Sequence, residues 1–294
     1  MNADFRSAAI WGLIVWLSFL LPLLPVRAEE RISFRNEQGE TINAVYLPAP
    51  PGSATPSPAV VMLHGCAGLF TESGKVRARE RAWADILKKE GWALLLPDSF
   101  GSRGFGSLCQ TRERPVKPEL QRPYDAMAAL RYLSARAGVD SNRIALLGWS
   151  NGAMAGLHTI RAGTPAAKGN GKTDFRTAVL FYPGCIALKK SFPDYRPRMP
   201  ALIQHGALDD WTIAEPCREL VQRVNGTGDA PAMSIDIYPG AYHNFDHPSS
   251  KLRTIITKSS GYATGQKEVH VGSNPEARTR AIARTVGWLR RYLK

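Results

Sequence analysis

Residues 148–152, Gly-Trp-Ser-Asn-Gly, have the types and spacing of a motif that exposes a nucleophilic serine. The motif follows the apolar run 144–147 and precedes the helical pattern 151–162, which places Ser150 on a sharp strand-to-helix turn. Flanking glycines avoid clashes at such a turn. The exposed hydroxyl can then attack a carbonyl once a base removes its proton. Ser150 is therefore the candidate nucleophile.

Two later loops supply the base and the acid that such a serine needs. Asp209 follows the apolar run 201–204 and His243 follows the run 234–238, so the chain order is serine, acid, histidine. In open parallel sheets, functional side chains gather beyond the carboxyl ends of the strands. We therefore expect His243 to act as general base toward Ser150, and Asp209 to orient the histidine.

Asp210 is the alternative for the acid position. Asp209 is preferred because it lies three residues after Gly206 in the loop that follows the strand. Asp210 is instead expected to cap a helix that starts near Thr212, since aspartate oxygens accept bonds from the first free N–H groups of a helix.

The oxyanion that forms when a serine attacks a carbonyl needs backbone N–H donors. One donor is expected from Asn151, directly after the nucleophile. The other is expected from Cys66 in the loop 64–69, His-Gly-Cys-Ala-Gly-Leu, with Ala67 as the alternative. His64 is expected to hydrogen-bond within this loop and not to serve as a second base.

Neither a metal nor an organic cofactor is expected. His243, Asp246 and His247 could be drawn as metal ligands, but ligand loops usually bring a further donor cluster. The predicted reaction is a two-step acyl transfer through a serine acyl-enzyme that water hydrolyses. Two alternatives stay open: a serine peptidase of the same fold, and a non-catalytic envelope-binding protein on a hydrolase scaffold.

The elements that must position these residues alternate between strand and helix. Residues 31–47 read as a β-hairpin near a sheet edge. Short apolar runs typical of buried parallel strands follow, at 59–63, 92–97, 144–147, 178–182, 201–204 and 234–238. Helical patterns lie between and after them, at 76–90, 122–137, 151–162, 214–226 and 276–293. This alternation predicts a mostly parallel central sheet with helices on both faces, in an α/β fold.

The N-terminal 28 residues have the pattern of a signal peptide. The apolar run 8–24 is interrupted by Pro22, and Val26-Arg27-Ala28 resembles a cleavage site. An uncleaved membrane anchor is the alternative, although a spanning helix needs about 20 apolar residues. We expect cleavage after Ala28, a hydrolase domain over residues 29–294, an exported protein in the periplasm or secreted, and no stable membrane insertion after cleavage.

Length and charge limit the remaining classes. The 294 residues, 44% of them hydrophobic, suffice for one large domain with a sizeable core. The formal net charge of +13 could indicate an anionic partner. The basic residues are scattered, however, and do not interleave with aromatics as on a nucleic-acid surface. We expect no nucleic-acid partner.

Five segments together resemble the dienelactone hydrolase family, within the α/β hydrolases. They are HGCAGL, LLLPDSFGSRG, GWSNG, GALDDW and GAYHNFD, and the resemblance runs from about Ala59 to the C-terminus. It implies a single-domain α/β-hydrolase fold without a large lid. It also implies hydrolysis of a small-molecule ester or lactone, possibly anionic. The founding members use a cysteine nucleophile where this chain has Ser150, which favours the wider group of carboxylic-ester hydrolases.

The resemblance also suggests residues that contact the substrate. Arg103 lies near where the family places an arginine that holds a substrate carboxylate, while the second such arginine is matched here by His247. Trp149 and Trp211 lie near the expected site and could line an acyl or aromatic pocket. Packing of the strand ends is the equal alternative for both tryptophans.

The four cysteines permit two disulfides in an oxidising compartment. Cys185 follows the strand before the Asp209 strand, and Cys217 starts the helix after it, so Cys185–Cys217 is the preferred pair. A second bridge between Cys66 and Cys109 is possible, and four free buried cysteines are the alternative.

Overall fold

The computed structural model describes residues 1, 29–168, 173–228, 230–257 and 268–294. The expected signal peptide, residues 1–28, lies almost wholly outside the described residues. None of the described helices combines the length and the apolar character needed to cross a membrane.

One eight-stranded sheet organises the described part of the chain. Its strands are β1 (Glu30–Arg35), β2 (Thr41–Leu47), β3 (Ser57–Leu63), β4 (Ala93–Pro97), β5 (Val139–Trp149), β6 (Thr177–Phe181), β7 (Ala201–Gly206) and β8 (Met233–Tyr238). The spatial order is β1-β2-β4-β3-β5-β6-β7-β8. The first two strands form an antiparallel hairpin at the edge, β2 is antiparallel to β4, and all later pairs are parallel. The predicted mostly parallel sheet is confirmed.

Helices cover both faces of this sheet. They are α1 (Ala78–Lys88), α2 (Gln121–Ser134), α3 (Asn151–Ile160), α4 (Ile186–Ser191), α5 (Glu215–Gly226) and α6 (Pro275–Leu293). Apolar side chains of α2, α3 and α5 pack on one face, and those of α1 and α6 pack on the other. Every residue of β3, β4, β6 and β7 is buried as a result, which explains their continuous apolar sequences.

A second, two-stranded sheet follows the histidine loop and was not predicted. Its strands are β9 (Arg253–Ile256) and β10 (Glu268–Val271), which pair antiparallel. β10 returns to the main body, where Val271 forms a parallel bridge with His243 and the Gly272 N–H donates to the His243 carbonyl at 3.0 Å. The short helix α4, between β6 and β7, was also not predicted.

Candidate active site

Ser150 occupies a strained turn between β5 and α3. Its backbone has φ 50° and ψ −115°, a left-handed region that non-glycine residues rarely adopt. The Ser150 N–H donates to the Phe181 carbonyl at 2.9 Å, which ties the turn to β6. A Cβ on Gly152 would lie 2.1 Å from the Leu63 carbonyl oxygen, so only glycine lets α3 start this close to β3. The strand–turn–helix expected from the motif is therefore present.

The three residues predicted as a triad lie in one hydrogen-bonded row. His243 Nε2 is 3.0 Å from Ser150 Oγ, and His243 Nδ1 is 2.8 Å from Asp209 Oδ2. They come from the ends of β5, β7 and β8. Asp209 and His243 are buried, both 3% exposed. Such a row allows a proton to pass from the hydroxyl to an imidazole whose other nitrogen is held by a carboxylate.

The Asp209 carboxylate is held in its charged form. Its oxygens accept bonds from the backbone N–H groups of Trp211 at 3.0 Å and Thr212 at 2.8 Å, and from the Thr212 hydroxyl at 3.1 Å. Burial alone would raise the pKa of Asp209. The attraction and hydrogen bond of His243 outweigh burial, with help from His205 and the Thr212 N–H, and leave that pKa below its ordinary value.

Asp210 does not cap a helix, so that expectation is wrong. The following helix, α5, begins only at Glu215. Asp210 instead accepts bonds from the backbone N–H of His270 at 2.9 Å and from its Nδ1 at 2.6 Å. The side chain points to the added hairpin, where it fixes β10 against the acid loop.

A buried carboxylate, Asp246, supports the histidine loop from below. Its Oδ2 accepts bonds from the indole N–H groups of Trp83 at 2.7 Å and Trp149 at 2.8 Å. Its Oδ1 accepts from the Tyr182 hydroxyl at 2.5 Å. The Tyr182 ring lies 4.5 Å from the His243 ring, centroid to centroid, so this network helps to set the position of His243.

Sequence reasoning missed Asp246 and Tyr182 in these roles, and of its two alternatives for Trp149 the structure shows packing of the strand ends. Trp149 is fully buried, stacked near Phe181, and packs beneath the site instead of lining a pocket. The need of a buried indole N–H for an acceptor was the one signal that could have pointed to a carboxylate nearby. No group of three metal-binding side chains occurs in the residues that the structure describes.

Arg79 completes the network on the side of α1. Its guanidinium donates to Asn244 Oδ1 at 3.0 Å and to the Tyr182 hydroxyl at 3.3 Å, and it forms an ion pair with Glu80. Asn244, next to His243, has a left-handed backbone with φ 66°. This contact therefore holds a strained residue directly beside His243.

The loop 64–69 and the start of α3 form the side of the site where oxyanion donors were expected. Cys66 and Asn151 are 6% and 1% exposed, and among the described residues no acceptor bonds to either backbone N–H. The Cys66 carbonyl accepts from the Leu108 N–H at 2.8 Å, which fixes the loop. His64 is buried with Nδ1 2.8 Å from the Gly65 carbonyl, and burial lowers its pKa well below the usual range, so it stays neutral as a local structural residue.

Arg103 is not available for a substrate carboxylate, which corrects the expectation from the resemblance. All of its guanidinium nitrogens are engaged: Nε binds Glu40 at 2.9 Å, Nη1 binds Asp125 at 2.8 Å and the Ser99 carbonyl at 2.7 Å, and Nη2 binds both carboxylates. Two carboxylates already compensate its charge. Its role is to join the segment after β4 to the β1–β2 turn and to α2.

A cavity of about 580 Å³ lies beside residues that contact the triad, although Ser150, Asp209 and His243 do not themselves line it. Trp211 lines it, and the Trp211 ring lies 4.9 Å from that of His243. Thr212, whose hydroxyl is 3.1 Å from His243 Nδ1, and Met154, one turn after Ser150, are further lining residues. The remaining wall combines apolar residues with a charged group comprising Arg112, Glu113, Arg114, Lys117 and Glu119.

Both cysteine pairs considered from the sequence are joined as disulfides, Cys185 to Cys217 and Cys66 to Cys109, and no free cysteine remains. The first connects the loop after β6 to α5. The second connects the loop 64–69 to the segment that supplies the charged wall of the cavity.

Comparison with known proteins agrees with this architecture. A profile of the dienelactone hydrolase family matches residues 44–293. No match was found among curated protein sequences. A dienelactone hydrolase-like promiscuous phosphotriesterase from metagenomic libraries superposes with a TM-score of 0.64 at 17% identity, covering 90% of this chain and 98% of its own.

An esterase from Thermogutta terrifontis, solved with bound propionate, gives a TM-score of 0.58 at 17% identity over 89% of this chain and 93% of that one. At these identities the two structures establish the α/β-hydrolase fold, whereas the profile match spans most of the sequence. The chain belongs to the dienelactone hydrolase family.

Proposed function

We propose that the protein is a serine hydrolase that cleaves carboxylic esters or lactones through an acyl-enzyme on Ser150. The observation that carries this proposal is the position of His243, 3.0 Å from the Ser150 hydroxyl and 2.8 Å from the Asp209 carboxylate. Membership of a hydrolase family supports the same reaction class.

In the proposed first step, His243 Nε2 takes the Ser150 proton while Oγ bonds to the carbonyl carbon. Asp209 keeps Nδ1 protonated and stabilises the imidazolium that forms. The N–H groups of Asn151 and Cys66 bind the oxyanion. The imidazolium then protonates the leaving alkoxide, and water attacks the acyl-enzyme by the same route in reverse.

The cavity beside the triad is the proposed site for the non-reacting part of the substrate. Met154, Trp211 and Ile213 give it an apolar wall, while its charged residues lie on the segment 112–119. A wall of this kind favours an apolar or aromatic group over a strongly polar one. Trp211 is thus proposed as a substrate-binding residue, whereas Arg103 and Trp149 are not.

Labelling with a fluorophosphonate probe tests the mechanism. We expect covalent labelling at Ser150 and hydrolysis of p-nitrophenyl esters. Ser150→Ala should abolish both, and Asp209→Asn should lower kcat by about 10⁴-fold because the histidine tautomer is no longer fixed. A folded wild-type protein that is neither labelled nor active would refute the proposal.

Substrate preference distinguishes the proposed esterase from a serine peptidase of the same fold. Side-by-side assay of p-nitrophenyl esters and the matching p-nitroanilides should give a far higher kcat/KM for the esters. Higher turnover of anilides and peptides would favour a serine peptidase of the same fold. An unchanged biological activity of Ser150→Ala would instead favour a non-catalytic envelope-binding protein.

We also propose that the chain is exported and that residues 1–28 are removed. The pairing of all four cysteines in disulfides supports an oxidising compartment. Mass spectrometry of the protein from the cell envelope and medium of its host should find an N-terminus at Glu29. A full-length cytoplasmic protein would contradict this.

A further inference from the structure

Arg122, the second residue of α2, lies fully buried between the two segments that carry the proposed oxyanion donors. Its Nη1 donates to Asn151 Oδ1 at 2.6 Å, and its Nη2 donates to the His64 carbonyl at 2.8 Å. One planar group therefore joins the start of α3 to the loop after β3. Nothing in the sequence motifs had singled out this arginine.

The charge of Arg122 has no carboxylate bonded to it. Among the described residues it forms no ion pair, and Asp125, the carboxylate three residues on, is occupied by Arg103 and Asn36. Its Nε has no hydrogen-bond partner, and the Phe100 ring lies 5.2 Å from its central carbon. Burial lowers the pKa of Arg122 to about 9, so the cation persists at neutral pH.

Burial of a cation is costly, and at Arg122 no directly bonded carboxylate offsets it, because Asp125 and Asp98 attract this charge only through space. Arg103 shows the usual solution in this same chain, with two carboxylates around one guanidinium. At Arg122 the bonded acceptors are neutral, and both lie next to backbone that was assigned to the oxyanion. A negative charge that develops beside Asn151 and the loop 64–69 would be attracted to this cation.

We propose that Arg122 is a positioning residue for the oxyanion hole, which fixes Asn151 against the loop 64–69 and supplies positive potential behind them. This inference rests on the proposed serine hydrolase function. Donors that are fixed before reaction need no reorganisation as charge develops, and that is why such sites stabilise a transition state better than water does. Arg122 acts through these neighbours and is not assigned a contact with the substrate.

Such a role affects the transition state more than the bound substrate. Ester carbonyls carry little charge in the ground state, so a displaced donor weakens binding of the tetrahedral oxyanion most. We therefore expect Arg122→Gln to lower kcat by about 10²-fold, similar to the loss of one oxyanion donor. KM should change little, and the inhibition constant of a phenylboronic acid, which forms a tetrahedral adduct with the serine, should rise in parallel with the loss of kcat.

A double-mutant cycle tests the bond to Asn151 directly. Asn151→Ala removes the acceptor of Nη1 but keeps the Asn151 backbone donor in the chain. If Arg122 acts through this side chain, Arg122→Gln/Asn151→Ala should be little worse than Arg122→Gln alone. Arg122→Lys, which keeps the charge but loses the planar fork, should fall between wild type and Arg122→Gln.

Arg198→Gln is the matched control. Arg198 also bonds to backbone carbonyls at α3, those of Thr159 at 2.9 Å and Arg161 at 2.8 Å, but at the far end of the helix from Ser150. The Arg198→Gln variant should have a lower melting temperature, while kcat of the folded protein stays near that of wild type. If Arg122→Gln does not fold, Asn151→Ala carries the test with the same readouts.

Failure of the proposed function and failure of the inference about Arg122 can be distinguished. A wild-type protein without serine labelling overturns the proposed function and this inference with it. An active wild type whose folded Arg122→Gln and Asn151→Ala variants keep kcat and boronic acid affinity overturns the inference alone. So does a loss of activity explained wholly by a higher KM.

Discussion

At the scale of single residues, the buried carboxylate of Asp246 stabilises much of the structure around His243. Two indoles and a phenol donate to its two oxygens within 2.5–2.8 Å. Three left-handed non-glycine residues, Ser150, Tyr182 and Asn244, surround this region. Strained backbone of this kind persists only where surrounding contacts determine it, and the Asp246 network supplies those contacts for Tyr182.

Replacing the carboxylate by an amide should therefore destabilise the protein. Asp246→Asn keeps one acceptor oxygen but turns an NH₂ group toward buried donors, which should lower the free energy of unfolding by about 3 kcal/mol. Urea denaturation measures this. Asp236→Asn is the control, because its bond to Arg284 lies at the surface and is worth less than about 1 kcal/mol. Equal losses in both variants would contradict the role of Asp246.

The residues that sequence reasoning found and missed differ in where their partners lie. Ser150, Asp209 and His243 each follow a strand that local patterns reveal, so their meeting could be predicted. The role of Arg103 could not be predicted, nor could the sequence decide between pocket lining and packing for Trp149. Their partners Glu40, Asp125 and Asp246 are 63, 22 and 97 residues away along the chain, and no local pattern links them.

At the scale of elements, the approach of α3 to β3 decides where Ser150 lies. The Cβ of an alanine at residue 152 would overlap the carbonyl oxygens of Leu63 and His64, at 2.1 and 2.6 Å. Both acceptors are backbone atoms, which cannot rotate away. The helix would have to move, and Ser150 with it.

Gly152→Ala should lower the free energy of unfolding by about 3 kcal/mol and reduce kcat strongly. Gly287→Ala is the matched control, since nothing lies within 4 Å of a Cβ built there in α6. Because alanine favours the helical conformation more than glycine does, Gly287→Ala should raise the free energy of unfolding by up to about 1 kcal/mol. Thermal unfolding and ester turnover of both variants give the comparison, and an active, stable Gly152→Ala would be inconsistent with this packing.

His158, also on α3, makes the stability of the fold depend on pH. Burial, and then the nearby charge of Arg161, lowers its pKa from 6.5 to about 4. Between these values the unfolded chain binds a proton that the folded chain does not, so stability falls as pH falls from 6.5 to 4. The contribution is at most about 3 kcal/mol.

His158→Gln should flatten this part of the profile. Urea unfolding at several pH values between neutral and acid would show a smaller loss of stability than in wild type. Identical slopes for the two proteins would show that His158 is protonated equally in both states.

Elements were predictable where they bury a continuous apolar run, as β3 to β7 do. β9 and β10 could not be predicted because both strands are short and, as strands, pair only with each other. In addition, β9 is largely exposed. α4 escaped because only Leu188 of its six residues is buried, which gives no periodic apolar face.

At the scale of the whole molecule, two disulfides close loops with sequence separations of 43 and 32 residues. In the chain-entropy picture each contributes up to about 4 kcal/mol by restricting the unfolded state. The two disulfides fix different parts of the structure. Cys66–Cys109 fixes the loop of the proposed oxyanion donor, whereas Cys185–Cys217 joins the loop after β6 to α5.

Paired serine substitutions should separate these effects. Cys66→Ser/Cys109→Ser should lose both stability and kcat, because the loop 64–69 gains freedom. Cys185→Ser/Cys217→Ser should lose stability with kcat close to that of wild type. Denaturation and ester kinetics under non-reducing conditions test this, and equal kcat losses in the two variants would argue against a special role of the first bridge.

The hairpin of β9 and β10 gives the site an order of assembly. His270 holds Asp210 beside the acid, and Gly272 bonds to the carbonyl of His243, so both loops are secured by chain that follows the histidine by almost thirty residues. A polypeptide synthesised from its N-terminus contains Ser150 long before it contains His270 and Gly272. The contacts that secure both loops can therefore form only after most of the chain has been made.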